Sequence, residues 1–189
     1  MKKTAVSGFT LLELMIAIAI IGILTAILVP SVHGYYVDSQ LRTANSNSKI
    51  IFNAAQTIAQ RYEIQERALG RVTLDGADGQ VAILCENGNA TNAVKTAGAA
   101  DLTQAQEFCD RVNDIATDGE SICWAVYIDE YIVRVSVSGN SLGSNYAGRY
   151  PVGAQDKGDV NFAGATLRGT GALTELQSQA ALYTNWNTP

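Results

Sequence analysis

The sequence predicts an α+β chain: one long N-terminal α-helix packed on a small antiparallel β-sheet head. Three observations predict it. An apolar run from Phe9 to Val29 contains only Thr10, Glu13 and Thr25 as clearly polar members. A second stretch carries Leu41, Ala44, Ser48, Ile51, Ala55, Ile58 and Tyr62 at spacings of three and four residues, the signature of an amphipathic helix. Two β-rich runs, Ile122–Ile128 and Tyr131–Val137, flank Asp129-Glu130 as a hairpin.

The apolar run is 21 residues long. As a helix it spans roughly 31 Å, the thickness of a bilayer core. Lys2 and Lys3 precede it without a compensating acid, which holds the N-terminus in the cytoplasm and places the rest of the chain outside. An ordinary secretory signal has a shorter apolar region and an A-x-A-like cleavage site after it, and neither fits here. Glu13 is the informative residue. A carboxylate in hydrocarbon is costly, roughly 2.5–3.5 kcal/mol on insertion scales for a central acid, and a simple anchor gains nothing from one.

Gly8-Phe9-Thr10-Leu11-Leu12-Glu13-Leu14-Met15-Ile16, continued by Gly22 and Pro30, resembles the N-terminal signature of type IV prepilins and pseudopilins. The resemblance covers about residues 1–35, where glycine, aromatic, acid, glycine and proline match in order and spacing. It implies a pilin-like fold and a leader, residues 1–8, cut by a prepilin peptidase between Gly8 and Phe9. It implies N-methylation of the new Phe9 amine, and an assembly salt bridge from Glu13 to the Phe9 ammonium of a neighbouring subunit. It also implies a helix hinge at Gly22, Pro30 and Gly34. Pro30 removes a backbone donor, and each glycine lowers helix propensity by about 1 kcal/mol, so the residues themselves support weakened helix in this zone. His33 lies there too and reads as an interfacial polar residue.

The chain then divides into the leader (1–8), a transmembrane or filament-core half of the helix (9–29), an amphipathic half (30–69) and a globular head (70–189). Gly70 is a natural helix stop, so Phe9 to about Leu69 reads as one helix of roughly 90 Å. Its stripe calls for a sheet of the same chain as cover, since small residues at several seam positions suit a coiled coil poorly. In the hairpin, Ile122, Trp124, Val126 and Ile128 share one face, and Tyr131, Val133, Val135 and Val137 share one face of the next strand. Gln80–Cys85 is a further strand candidate. Leu102, Ala105, Cys109, Val112 and Ala116 mark a short helix capped by Asp101 or Thr103. Beyond Gly139 the chain is rich in Gly, Ser and Asn. It reads as loops, with short strands near Arg149–Val152 and Val160–Leu167 and a short helix over Leu173–Tyr183. No cysteine follows Cys123 to staple this tail.

Composition narrows the function classes. The net charge is −5 and the 13 basic residues are scattered among acids, which argues against a nucleic-acid groove. One histidine, His33, and cysteines without CxxC spacing argue against a zinc cluster. Cys85, Cys109 and Cys123 allow a possible disulfide in any of three pairings, against the alternative of three reduced, buried thiols. Asp156-Lys157-Gly158-Asp159 has oxygen atoms at spacings a calcium loop uses but lacks a full ligand set, so a polar turn is the reading adopted. Asn89-Ala90-Thr91 fits a glycosylation sequon, a common chance match. No nucleophile–base pair is legible, so no catalytic residue, cofactor or metal is expected.

The expected function is therefore that of a type IV pilin-like structural subunit. It is held in the cytoplasmic membrane by a single pass and then assembled through its N-terminal helix into an extracellular filament for adhesion, motility or surface interaction. The expected partners are further copies of the chain, a prepilin peptidase, and an assembly ATPase with its inner-membrane platform. The nearest alternative is a pseudopilin of a type II secretion or competence system, whose filament spans the periplasm. A second is a membrane-anchored binding module.

Overall fold

The computed structural model of the protein describes residues 9–65, 79–95, 98–99, 102–116 and 122–186. Leu69 and Gly70, where the long helix was expected to stop, and Asp101, one of its two candidate caps for the following helix, lie outside these.

Helix α1 runs from Leu11 to Ile64. Two compact units divide at Asp38/Ser39, the first holding the apolar half of α1 and the second its amphipathic half with the head. All seven residues of the sequence stripe are buried, together with Ala54 and Ala59. Small residues there let the sheet approach the helix backbone closely.

The head contains a six-stranded sheet of order β3-β2-β1-β4-β5-β6, every pairing antiparallel. Its strands are β1 (Gln80–Glu86), β2 (Asn89–Lys95), β3 (Gly98–Ala99), β4 (Cys123–Asp129), β5 (Ile132–Gly139) and β6 (Gly148–Tyr150). Helix α2 (Leu102–Ala116) joins β3 to β4, and α3 (Gly164–Leu167) and α4 (Ala172–Trp186) follow β6. One face of the sheet packs with α1 and α2 in a cluster that includes Ile51, Ile58, Tyr62, Phe108, Val112, Val81, Ile83, Trp124 and Val126. The other face carries Ala82, Leu84, Ala125 and Tyr127 and meets α4. Leu167, Leu173 and Leu176 of α3 and α4 are buried. The tail without a cysteine is thus held by burial, as the second cover of the sheet.

Three expectations are corrected. The hairpin turn is Glu130-Tyr131, not Asp129-Glu130: both residues have positive φ, 49° and 64°, so Asp129 pairs with Ile132. Positive φ at both central residues is the two-residue turn whose twist matches a hairpin. Tyr131 is therefore a turn residue. Secondly, the register slips between Tyr127 and Ile128, leaving Arg134 as the extra residue of a bulge. Val133 stays on the α1 face, but Val135 and Val137 sit opposite Tyr127 and Ala125 on the α4 face. Ser136 and Ser138 take the places they were expected to fill. Thirdly, the segment expected as a strand over Val160–Leu167 contains α3 instead.

Those serines make the helix–sheet seam. The Ser136 hydroxyl donates to the Ser48 carbonyl at 2.7 Å, the Ser138 hydroxyl to the Ala44 carbonyl at 3.2 Å, and Ser48 and Ser138 hydroxyls meet at 2.8 Å. Each buried hydroxyl is satisfied, which removes the desolvation cost of placing it there. One turn earlier, Asn45 Oδ1 accepts the N–H groups of Arg149 (3.0 Å) and Ala154 (2.8 Å), while its Nδ2 donates to the Ala154 carbonyl at 2.9 Å. At Gly148 a Cβ would stand 2.1–2.3 Å from the Ala44 carbonyl and the Asn45 nitrogen. Only glycine fits where β6 crosses the helix.

On the opposite face, Arg168 grips Glu86 with Nε on Oε2 (2.9 Å) and Nη2 on Oε1 (2.5 Å). The hydrogen bond from Arg168 holds the Glu86 carboxyl below the usual glutamate range. A carboxylate with a lowered folded-state pKa stabilises the fold above its unfolded pKa and loses that contribution as pH falls through the folded value.

Gly148→Ala is expected to cost about 1–3 kcal/mol through overpacking, and Asn45→Ala about 2–3 kcal/mol through orphaned backbone groups, both read as lower urea midpoints. Between about pH 6 and about pH 3, part of the wild-type fall in urea midpoint is expected to disappear in Glu86→Gln.

Candidate assembly site on the N-terminal helix

Every side chain from Phe9 to Tyr36 is exposed in the single chain. Phe9 is 86% exposed and Leu11 75%. An 18-residue window of α1 reaches a mean hydropathy of 2.7, long and apolar enough to cross a membrane. A helix apolar all round is stable only where something apolar surrounds it, whether lipid or other protein.

The start of this helix is set locally. The Thr10 hydroxyl accepts the Glu13 N–H at 3.2 Å, and Glu13 Oε2 accepts both the Thr10 N–H and the Thr10 hydroxyl at 2.9 Å. This is a capping box, two otherwise orphaned donors satisfied reciprocally. Thr-x-x-Glu just before an apolar run is a legible helix-start signal, and the sequence reading did not use it; Thr10 is the residue it overlooked. The box fixes Glu13 in the first turn, four residues after Phe9, where its charge also complements the helix dipole. The contacts described go to Oε2, and among the described residues no cationic side chain pairs with the carboxylate. A carboxylate has room for about four hydrogen bonds, so the site retains capacity for a donor from outside the chain.

The glycine–proline zone is helical throughout: Pro30 lies inside α1, and so do Gly22 and Gly34. A Cβ at Gly22 or Gly34 would meet nothing within 4 Å. Among the described residues no packing therefore requires glycine at either position. His33 is exposed on the same stretch. Gly8 lies outside the described residues.

In the head, Asp159 Oδ2 accepts the N–H groups of Gln155 (2.8 Å) and Asp156 (3.0 Å), and these bonds hold its carboxyl below the usual range. The carboxylate thus closes its own turn. Among the described residues no group of three or more His, Cys, Asp or Glu side chains converges to hold a metal ion. Cys85, Cys109 and Cys123 are buried and present as free thiols. Asn89 of the sequon opens β2, exposed beside its hairpin turn.

Comparisons with known proteins bear on the same segment. A family model for the prokaryotic N-terminal methylation motif matches residues 3–29. The type IV major fimbrial protein FimA of Dichelobacter nodosus is 32% identical over 130 residues, covering 66% of this chain and 78% of the relative. No solved structure matches significantly.

Loss of the capping box by Thr10→Ala is expected to cost about 1 kcal/mol at the helix start. Amide exchange of residues 11–14 in detergent micelles would show it as faster exchange confined to that first turn, with the head unchanged.

Proposed function

Taking as premise that the chain belongs to the type IV pilin family, we propose that it is a fimbrial subunit. On this reading it is cut between Gly8 and Phe9 and polymerised through residues 9–36 into an extracellular filament. The observation that carries the reading is Glu13: a fixed, capped carboxylate in the first turn of a helix exposed and apolar on all sides. Cleavage would turn the Phe9 amide into an amine, four residues from that carboxylate. Methylation leaves such an amine cationic.

In an array of parallel helices, the apolar faces bury one another and give affinity with little positional preference. The Phe9 ammonium of one subunit on Glu13 of its neighbour would supply the register. An ion pair in such a medium is weak evidence for stability, but a misplaced one leaves a buried unpaired charge, which is strongly penalised. The pair would therefore select one axial stagger among many apolar ones. Gly22 and Gly34, where a Cβ would meet nothing within 4 Å, would let neighbouring helices approach, and with Pro30 inside the helix they would let this stretch bend as the helices pack. The heads would face outward. That the relative is named a major fimbrial protein supports the fimbrial reading over a secretion pseudopilin.

Mass spectrometry of sheared fibres is expected to find an N-terminus at methylated Phe9; a chain still carrying residues 1–8 in fibres would contradict the proposal. Glu13→Ala is expected to leave the chain in the membrane with a folded head while fibres fall by tenfold or more by electron microscopy of sheared fractions.

A further inference from the structure

Three cysteines leave three pairings open, and the sheet register decides among them. Side chains alternate across a strand, so residues paired across neighbouring strands share a face. Cys85 of β1 stands opposite Trp124 of β4, while Cys123 stands opposite Glu86. Cys85 and Cys123, near neighbours along the sheet, therefore point to opposite faces. Cys85 shares the face of Trp124, Val126 and Ile83, packed with α1 and α2. Cys123 shares the face of Glu86, which Arg168 of the C-terminal layer grips.

Cys109 lies on α2, on the Cys85 side of the sheet. Asn113, one helical turn beyond Cys109, ties the two elements at this point. Its Nδ2 reaches the Cys85 sulfur at 3.5 Å and its Oδ1 accepts Trp124 Nε1–H at 2.9 Å. Residues four apart occupy one helix face, so Cys109 is aimed at the same strand as Asn113. Both side chains are fully buried in the same core cluster. Cys123 is buried on the other face, paired across the strands with Glu86.

We infer that Cys85 and Cys109 are the disulfide-forming pair of this protein and that Cys123 remains a thiol. A disulfide needs a bond of about 2.05 Å between side chains that already face each other, and here Asn113 ties the Cys85 strand and Trp124 to the helix that carries Cys109. With oxidised glutathione as the oxidant, local opening of the helix–strand contact exposes the pair, and one thiolate attacks the glutathione disulfide and releases one reduced glutathione. The second thiolate then attacks the mixed disulfide, releasing another. Two protein S–H bonds and one glutathione S–S bond are lost, one protein S–S bond forms, and two glutathione thiols carry away the electrons and protons. The bond would close the chain segment carrying β2, β3 and α2 onto the sheet.

The inference concerns the folded head and does not draw on filament assembly. Its test uses the full-length chain, reduced in detergent and brought to equilibrium with oxidised glutathione. Remaining thiols are then alkylated in denaturant and the chain is digested without reductant. The expected map holds one peptide linking Cys85 to Cys109, with Cys123 joined to no other protein cysteine. Oxidation should raise the melting temperature by about 6–12 °C, an effect kept in Cys123→Ser and lost in Cys85→Ser/Cys109→Ser. Recovery of Cys85 and Cys109 unlinked, a link that includes Cys123, or loss of the thermal gain in Cys123→Ser would each overturn it.

Discussion

A 54-residue helix with a head on only part of it sets the terms for everything else in this chain. From Leu41 to Tyr62 the helix presents one apolar stripe, and the sheet and α2 of its own chain cover it. From Phe9 to Tyr36 it is apolar on all sides and exposed. Burying apolar surface contributes about 25 cal/mol per Å², so a bare run of this length is a strong drive towards lipid or towards other copies. The first half calls for apolar cover from outside the chain, and the second finds its cover within it.

The head meets the second demand by close approach more than by bulk. Ala44, Ser48, Ala55 and Ala59 keep the helix surface low, and Gly148 lets β6 cross the helix backbone. Ser136, Ser138 and Asn45 then satisfy the polar groups that such proximity buries. A bulge at Arg134 makes this possible, because it turns Ser136 and Ser138 towards the helix and Val135 and Val137 towards α4. Gln56 reinforces the arrangement at the hairpin end, donating to the Tyr131 carbonyl at 3.2 Å and accepting the Val133 N–H at 2.8 Å. A side-chain amide there occupies backbone groups that a strand edge would otherwise leave open.

Periodicity carried much of this fold in advance. The seven-residue stripe, α2 and the strands at Gln80–Cys85 and Ile122–Val137 are all legible from spacing alone. The misreadings have physical causes. A one-residue bulge reverses every side chain beyond it and leaves no compositional trace, so Val135 and Val137 were placed on the wrong face. Strand β2, Asn-Ala-Thr-Asn-Ala-Val-Lys, is too polar to announce itself, although Asn87-Gly88 before it is a strong hairpin signal and both have positive φ. The apolar residues of β1 and β4 run continuously, which marks strands covered on both faces. That continuity called for a second covering layer, and the C-terminal helices supply it. At the candidate assembly site, Gly8, Phe9 and Glu13 stand out by motif, while Thr10 becomes intelligible only when its hydroxyl and amide are seen on Glu13.

On the proposed function, the first half of α1 is completed by other copies of the chain, with Glu13 setting their register. A cryo-electron microscopy reconstruction of the native fibre tests it most directly. The account predicts that side chains 9–36 are buried among neighbouring helices and that Glu13 lies within ion-pair distance of the residue-9 amine of an adjacent subunit. A fibre in which those side chains face solvent, or in which Glu13 contacts only Thr10 of its own chain, would contradict it.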